Sequence, residues 1–214
     1  MSAGGKRVGG FSESAVILPY VAHPTSDGLD PAARFLLDSL IVQPRVARRN
    51  DVLYFTLRQW RASVKSYQIE ALRTLKKSPP PRFVSAVAAD IAEALAAMFG
   101  GDLYKVVVPI PCSRSHPESC LSSLIAEKLA AMLHLISVRA LAIDTAAGSS
   151  HPKANLGRVT MRALGSLPGA ALVVDDVATS GVHLEEAVHL LRQSGQSIFA
   201  LAWIGGRQGV RAGD

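Results

Sequence analysis

The richest chemistry in this 214-residue chain lies in the segment Ala171 to Leu184, ALVVDDVATSGVHL. An apolar run of the kind buried in a parallel sheet ends in two adjacent carboxylates, Asp175 and Asp176. Four small or hydroxylated residues, Ala178, Thr179, Ser180 and Gly181, then open a helix. Backbone N–H groups at a helix start, helped by two hydroxyls and the helix dipole, can hold a phosphate. The carboxylates just before them can accept hydrogen bonds from sugar hydroxyls or approach a metal-bound sugar. Facing an open pocket, they are expected to be solvated without ligand. The structural alternative is an ordinary helix cap, with Thr179 or Ser180 satisfying free N–H groups.

These residues need elements to position them, and the chain supplies alternating strands and helices. The amino-terminal third reads as a strand near Ala15 to Val21, a helix from Pro31 to Val42 and a strand from Val52 to Leu57. A helix from Tyr67 to Lys77 follows, and Pro79, Pro80 and Pro81 stop it and mark the best candidate linker. Val84, Val87, Ala88, Ile91, Ala94, Leu95 and Met98 then recur at helical spacing, closed by Gly100 and Gly101. A β-branched run from Tyr104 to Val108 leads to a helix with Leu121, Leu124, Ile125, Lys128, Leu129, Met132 and Leu133 on one face. Strands are expected at Val138 to Ile143, Ala170 to Val174 and Ser197 to Ile204, with a helix from His183 to Gln193 before the last. Such alternation implies α/β architecture with a parallel sheet covered on both faces.

The segment Ala171 to Leu184 resembles the 5-phosphoribosyl 1-diphosphate (PRPP) signature of type I phosphoribosyltransferases. That signature is a hydrophobic strand, two acidic residues, two spacers, two hydroxyl residues and Gly. Val106 to Ser115, VVVPIPCSRS, is similar to the strand and diphosphate loop that precede it in that family, and Lys153 to Arg162, KANLGRVTMR, looks like the basic end of a mobile covering loop. Leu72 to Lys77, LRTLKK, followed by an Ala-rich helix and the VVPIP strand, is similar to the layout of the ComF-type branch, which is associated with DNA uptake. The sequence departs from the family where Thr usually stands two residues after the signature Gly; here that residue is His183. The Arg-rich diphosphate loop of ComF proteins is reduced to Arg114 and His116, and the amino-terminal cysteine knuckle is missing.

The resemblance implies a doubly wound parallel sheet with a small N-terminal subdomain. Residues 1–81 would form a basic hood, 82–206 the phosphoribosyltransferase-like core and 207–214 a tail. It implies transfer of a phosphoribosyl group from PRPP to a nitrogen acceptor with release of diphosphate. Asp175 and Asp176 would hold the ribose, Ala178, Thr179, Ser180, Gly181 and His183 the 5-phosphate, and Cys112, Ser113 and Arg114 the diphosphate. Lys153 or Arg158, on a loop spanning Ala146 to Arg158, would close over the site and neutralise the leaving group. Magnesium (Mg2+) would travel on the diphosphate and keep most of its waters, with no dedicated protein metal site. The acceptor is not legible. Two further readings stand beside the enzyme: a non-catalytic PRPP- or nucleotide-sensing regulator, and a competence-associated nucleic-acid accessory protein. Response regulators also carry an acidic pair, but after their first strand, and this pair comes late.

Composition bounds these readings. Hydrophobic residues at 49% and charged ones at 19% exclude intrinsic disorder. The apolar stretch Val84 to Phe99 carries Asp90 and Glu93 and is too short for a bilayer, so no membrane partner is expected, and the amino terminus lacks a secretory pattern. Between Arg45 and Arg82, ten Lys or Arg stand against Asp51 and Glu70, a local charge of +8 in a chain whose net charge is +6. This is either a nucleic-acid face or an ordinary solvated one. Cys112 and Cys120 are too few for a disulfide framework, and a reducing cytoplasm fits them. With His116 they recur every fourth residue, but Pro117 inside that run argues against a helical metal site. His151 reads as a loop residue and His134 as a helix-face one. A homodimer is left open.

Overall fold

The computed structural model describes residues 28–99, 103–112, 120–143 and 161–206. The first helix, α1 (Pro31–Ser39), starts where expected: Asp30 caps the N–H groups of Ala32 and Ala33, and Pro31 stands at the first turn. It ends three residues sooner than the periodicity suggests. Leu40 is extended, and Ile41 and Val42 begin an unforeseen strand, β1 (Ile41–Arg49). Asn50 and Asp51 turn the chain into β2 (Val52–Gln59), with Asn50 at φ 51° as a two-residue hairpin loop demands. The register slips by one residue between Val42 and Arg45, around Pro44, which has no N–H to give the ladder.

Helices α2 (Lys65–Lys77) and α3 (Pro81–Phe99) are separated by three residues only. The proline run is therefore no linker: Pro81 opens α3, and Val84 N–H already donates to the Pro80 carbonyl. After β3 (Val106–Pro109) and α4 (Leu121–Met132), the expected strand at 138–143 divides. β4 (Ile136–Ser137) pairs with β3, whereas β5 (Leu141–Ile143) pairs with β6 (Met161–Ala163) in a small second sheet. The division falls at Arg139, where Ala140 N–H folds back onto the Val138 carbonyl. The chain finishes with β7 (Ala171–Ala178), α5 (Val182–Arg192) and β8 (Ile198–Gly205).

The main sheet runs β1-β2-β8-β7-β3-β4, parallel throughout except for β1 at its edge. This is a mixed α/β fold with a mostly parallel central sheet. Residues before 81 contribute two strands to that sheet, through β2 pairing with β8, and do not stand beside it as a separate layer. One face buries Leu72, Leu75, Phe83, Ile91, Ile125 and Leu129 from α2, α3 and α4 against Leu172, Val174 and Trp203. The other buries Leu184, Ala187, Val188 and Leu191 of α5 against Tyr54, Val106, Val173 and Ala202. From β3 the chain winds one way through α4 to β4, and the later strands β7 and β8 build in the opposite direction. The reversal lies between β3 and β7, the place in an open sheet where ligands bind beyond the strands' carboxyl ends.

Candidate functional site

At the reversal, β3 and β7 pair from Val106 with Ala171 to Pro109 with Val174, and Ile110 N–H extends the ladder to the Val174 carbonyl at 2.9 Å. The loop after β3 and the turn after β7 thus leave the sheet side by side. Cys112 and Cys120, at the two ends of segment 113–119, are joined as a disulfide with Cα atoms 6.1 Å apart. The sequence reading missed this bridge, because the distance between the two cysteines is set by how β3 and α4 pack. Ser122 Oγ lies 3.0 Å from Cys120 Sγ and donates to the Ile110 carbonyl at 2.7 Å, tying α4 to the end of β3. Ser113, Arg114, His116, Pro117, His151, Lys153 and Arg158, with the proposed covering loop and the strand near Ala15, lie outside the described residues.

β7 runs on through both acids to Ala178, beyond the strand end expected at Val174, so the turn before α5 is Thr179 to Gly181. Asp175, Ala178, Thr179, Ser180, Gly181 and His183 line a small cleft of about 50 Å³, together with Val177, Val182 and Leu184. Thr179, Ser180 and His183 are exposed. The helix-cap alternative does not describe the turn: the residue at the cap is Gly181, and no side chain caps the helix there. Gly181 stands at φ 72°, in the left-handed region, and a Cβ on it would lie 2.7 Å from the Tyr54 hydroxyl. Only glycine fits. Its backbone rests directly on a buried tyrosine of β2.

The acid pair differs from expectation. Asp175 and Asp176 are 7% and 4% exposed, so they are buried, not solvated. Asp175 Oδ1 accepts the Asp176 N–H at 2.8 Å. Burial, and then the charge of Asp176, push the Asp175 carboxyl up to about 8, against the opposing pull of Lys76 and the N–H groups of Asp176 and Val177. Asp176 accepts from Lys76 Nζ at 2.8 Å, a contact from α2 across 100 positions of sequence.

Three functional-site neighbours escaped the sequence reading: Lys76, Arg49 and Tyr54. Arg49 Nη1 donates to the Ser180 carbonyl at 3.1 Å, and its Nε to Glu185 Oε2 at 2.6 Å. Asn50 Nδ2 also donates to Glu185, and that bond, with Arg49, holds the Glu185 carboxyl below the usual range. Asp51 pairs with His189 and Arg192 at 3.0 and 3.1 Å. The β1–β2 turn is thereby latched along α5, and the latch holds the β7–α5 turn from outside. The sequence hint is the RRND run, part of the basic stretch that reads as either a nucleic-acid face or an ordinary solvated one.

That basic run does not form one face. Arg58, 1% exposed, donates from Nε to Asp90 Oδ2 at 2.6 Å and from Nη2 to Asp90 Oδ1 at 3.0 Å, while Trp203 Nε1 donates to Asp90 at 2.7 Å. Lys76 and Arg49 point to the site described above, and Arg73 pairs with Glu70. Arg45 and Arg48 are exposed. His134 is exposed in the turn after α4, at φ 55°, and not on a helix face. Among the described residues no helix is long and apolar enough to cross a membrane.

No protein-family model matches the chain, and no curated protein matches it. Solved phosphoribosyltransferases are similar to it in structure. The adenine phosphoribosyltransferase of Saccharomyces cerevisiae, solved with adenine and an imino-altritol bisphosphate, is 11% identical over 81% of this chain and 88% of that one, at TM-score 0.44. The orotate phosphoribosyltransferase of Aeropyrum pernix is 19% identical over 83% of each chain, at TM-score 0.41. The adenine phosphoribosyltransferase of Thermoanaerobacter pseudethanolicus is 11% identical over 80% and 98%, at TM-score 0.40. The chemistry of the site is accordingly read from its own residues.

Proposed function

We propose that the protein binds PRPP at the β7–α5 turn and transfers its phosphoribosyl group to a nitrogen acceptor, releasing diphosphate. The observation that carries this reading is the juxtaposition, at the winding reversal, of a buried acid pair with a glycine-ended turn whose helix has no side-chain cap. N–H groups at the start of α5 and the exposed Thr179 and Ser180 hydroxyls suit a 5-phosphate, and His183 adds a ring nitrogen where the signature usually has Thr. Asp175 and Asp176 suit the ribose hydroxyls, where charge-assisted hydrogen bonds to a carboxylate are strong. Displacement at the anomeric carbon needs no covalent nucleophile from the protein; positioning and charge stabilisation suffice. Ser113 and Arg114 on the diphosphate, and Lys153 or Arg158 over it, complete the assignment carried by the sequence resemblance. Cys112 anchors that loop through its bridge to Cys120.

Magnesium bound to the diphosphate would neutralise charge on the leaving group. The residues present fit a metal carried in that way and not in a protein cage, because Asp175 Oδ1 already accepts a backbone N–H and Asp176 Oδ1 accepts Lys76. A finer assignment to the ComF-type branch would rest on the sequence resemblance of the LRTLKK segment, which lies on α2 with Lys76. The test is diphosphate release from PRPP with a panel of purine, pyrimidine and amine acceptors, with and without magnesium. Release with one acceptor supports the enzyme. His183, exposed in the first turn of α5, favours a second reading as a nucleotide sensor. PRPP binding with no diphosphate release from any acceptor would select it.

A further inference from the structure

Two adjacent carboxyls buried within β7 raise the cost of each other's charge, and a buried charge without a partner is costly. The pair on β7 has such a partner in Lys76. On α2, Leu72 and Leu75 turn into the core while Lys77 is exposed, and Lys76 lies at the boundary between these faces. Its Nζ reaches Asp176 Oδ1 at 2.8 Å, with side chains 35% and 5% exposed. A lysine stem laid along apolar surface with its head on a carboxylate uses the flexible reach of that side chain.

We propose that Lys76 is a positioning residue that fixes the charge of the acid pair on Asp176 and aims that carboxylate at a sugar hydroxyl. The ligand named here rests on the PRPP reading; the placement of charge does not. The groups around the pair support it. Asp175 spends Oδ1 on the Asp176 N–H and lies at about 8, so near neutrality it holds its proton while Asp176 faces the ammonium. β8 offers Ala202 opposite Asp175. β3 continues beyond Pro109 into Ile110, and neither flanking strand brings a titrating group to the pair. From α3 and β2, Asp90 and Arg58 are engaged with each other, and from α5 the exposed His183 lines the same cleft as Asp175. The pair would meet two ribose hydroxyls with one strong acceptor and one carboxyl able to donate as well as accept. Without Lys76 nothing would hold the pair's negative charge on Asp176, and the strong acceptor would lose its fixed place.

Carbon-13 NMR of the aspartate side-chain carboxyls, followed from about pH 4 to about pH 10 in ligand-free protein, reads this charge directly. In Lys76→Met the titration of Asp175 should move to higher pH, because the lowering pull of the ammonium is gone, and PRPP affinity near neutrality should fall about tenfold, as for loss of a charge-assisted hydrogen bond. Lys76→Arg, which keeps the cation, should restore both. A merely structural lysine would lower the melting temperature of Lys76→Met and leave the carboxyl titration in place; that result overturns the inference whether or not PRPP binds. Lys76→Gln repeats the measurement if Lys76→Met does not fold. A shifted titration in a protein that takes no PRPP would overturn the PRPP reading and leave the placement of charge standing.

Discussion

Asp175 is the residue whose environment departs furthest from what its neighbours in sequence suggest. The DD pair was legible as a site because two carboxylates beside a Thr-Ser-Gly turn are chemically conspicuous. Its burial was not, because Lys76, the partner of Asp176, comes from α2, 100 positions upstream. The consequence is a stability effect with a definite sign. Asp175 lies at about 8 in the fold against an ordinary 3.8, so between those values the folded chain keeps a proton that the unfolded chain has released. Its contribution to stability is complete below the lower value and declines as pH rises through the upper one. Asp175→Asn keeps the acceptor for the Asp176 N–H and abolishes this titration. Urea unfolding of the variant should therefore depend less on pH across that window and exceed the unaltered protein in stability at its alkaline end, while PRPP affinity falls roughly tenfold to a hundredfold. An unchanged pH slope would mean that Asp175 is ionised in the fold.

Among the elements, the strand-turn-helix unit from β7 to α5 was almost wholly legible, since an apolar strand, a glycine and a 3.6-residue period are local signals. What holds the turn was not. β1 hid in a run of arginines, RVARRN, whose apolar members are sparse and whose edge position leaves Val42 and Val46 exposed. Its hairpin nevertheless supplies Arg49 to the Ser180 carbonyl and brings Tyr54 under Gly181. Gly181→Ala tests that support. An added Cβ would meet Tyr54 Oη at 2.7 Å and Cε1 and Cζ at 2.8 Å, with the backbone held at φ 72°. The variant should lose about 1–3 kcal/mol of stability, as strained left-handed positions do, and PRPP affinity with it. Truncation of the ring in Gly181→Ala/Tyr54→Leu should recover part of the affinity, because the clash is relieved and the backbone strain is not. Full tolerance of Gly181→Ala would show that the turn is not pressed on β2.

At the scale of the whole molecule, the alternation of strands and helices implied a parallel sheet, and the main sheet is parallel except for β1 at its edge. The connection between the amino-terminal residues and this sheet was not legible. The Arg58, Asp90 and Trp203 side chains lie on three separate elements, and their buried cluster joins β2, α3 and β8. In sequence, Arg58 was one basic residue among ten. The disulfide between Cys112 and Cys120 was equally invisible, because the 6.1 Å between their Cα atoms belongs to the packing of β3 against α4. Together these contacts tie the elements around the winding reversal to one another. The most direct measurement is a titration of isotope-labelled protein with PRPP and magnesium, followed by backbone amide NMR. The account predicts saturable shifts concentrated at Ala178 to Leu184 and at Asp175 and Asp176, and their loss in Asp176→Asn at the same PRPP concentration. No shift at millimolar PRPP, or shifts confined to other surfaces, would contradict it.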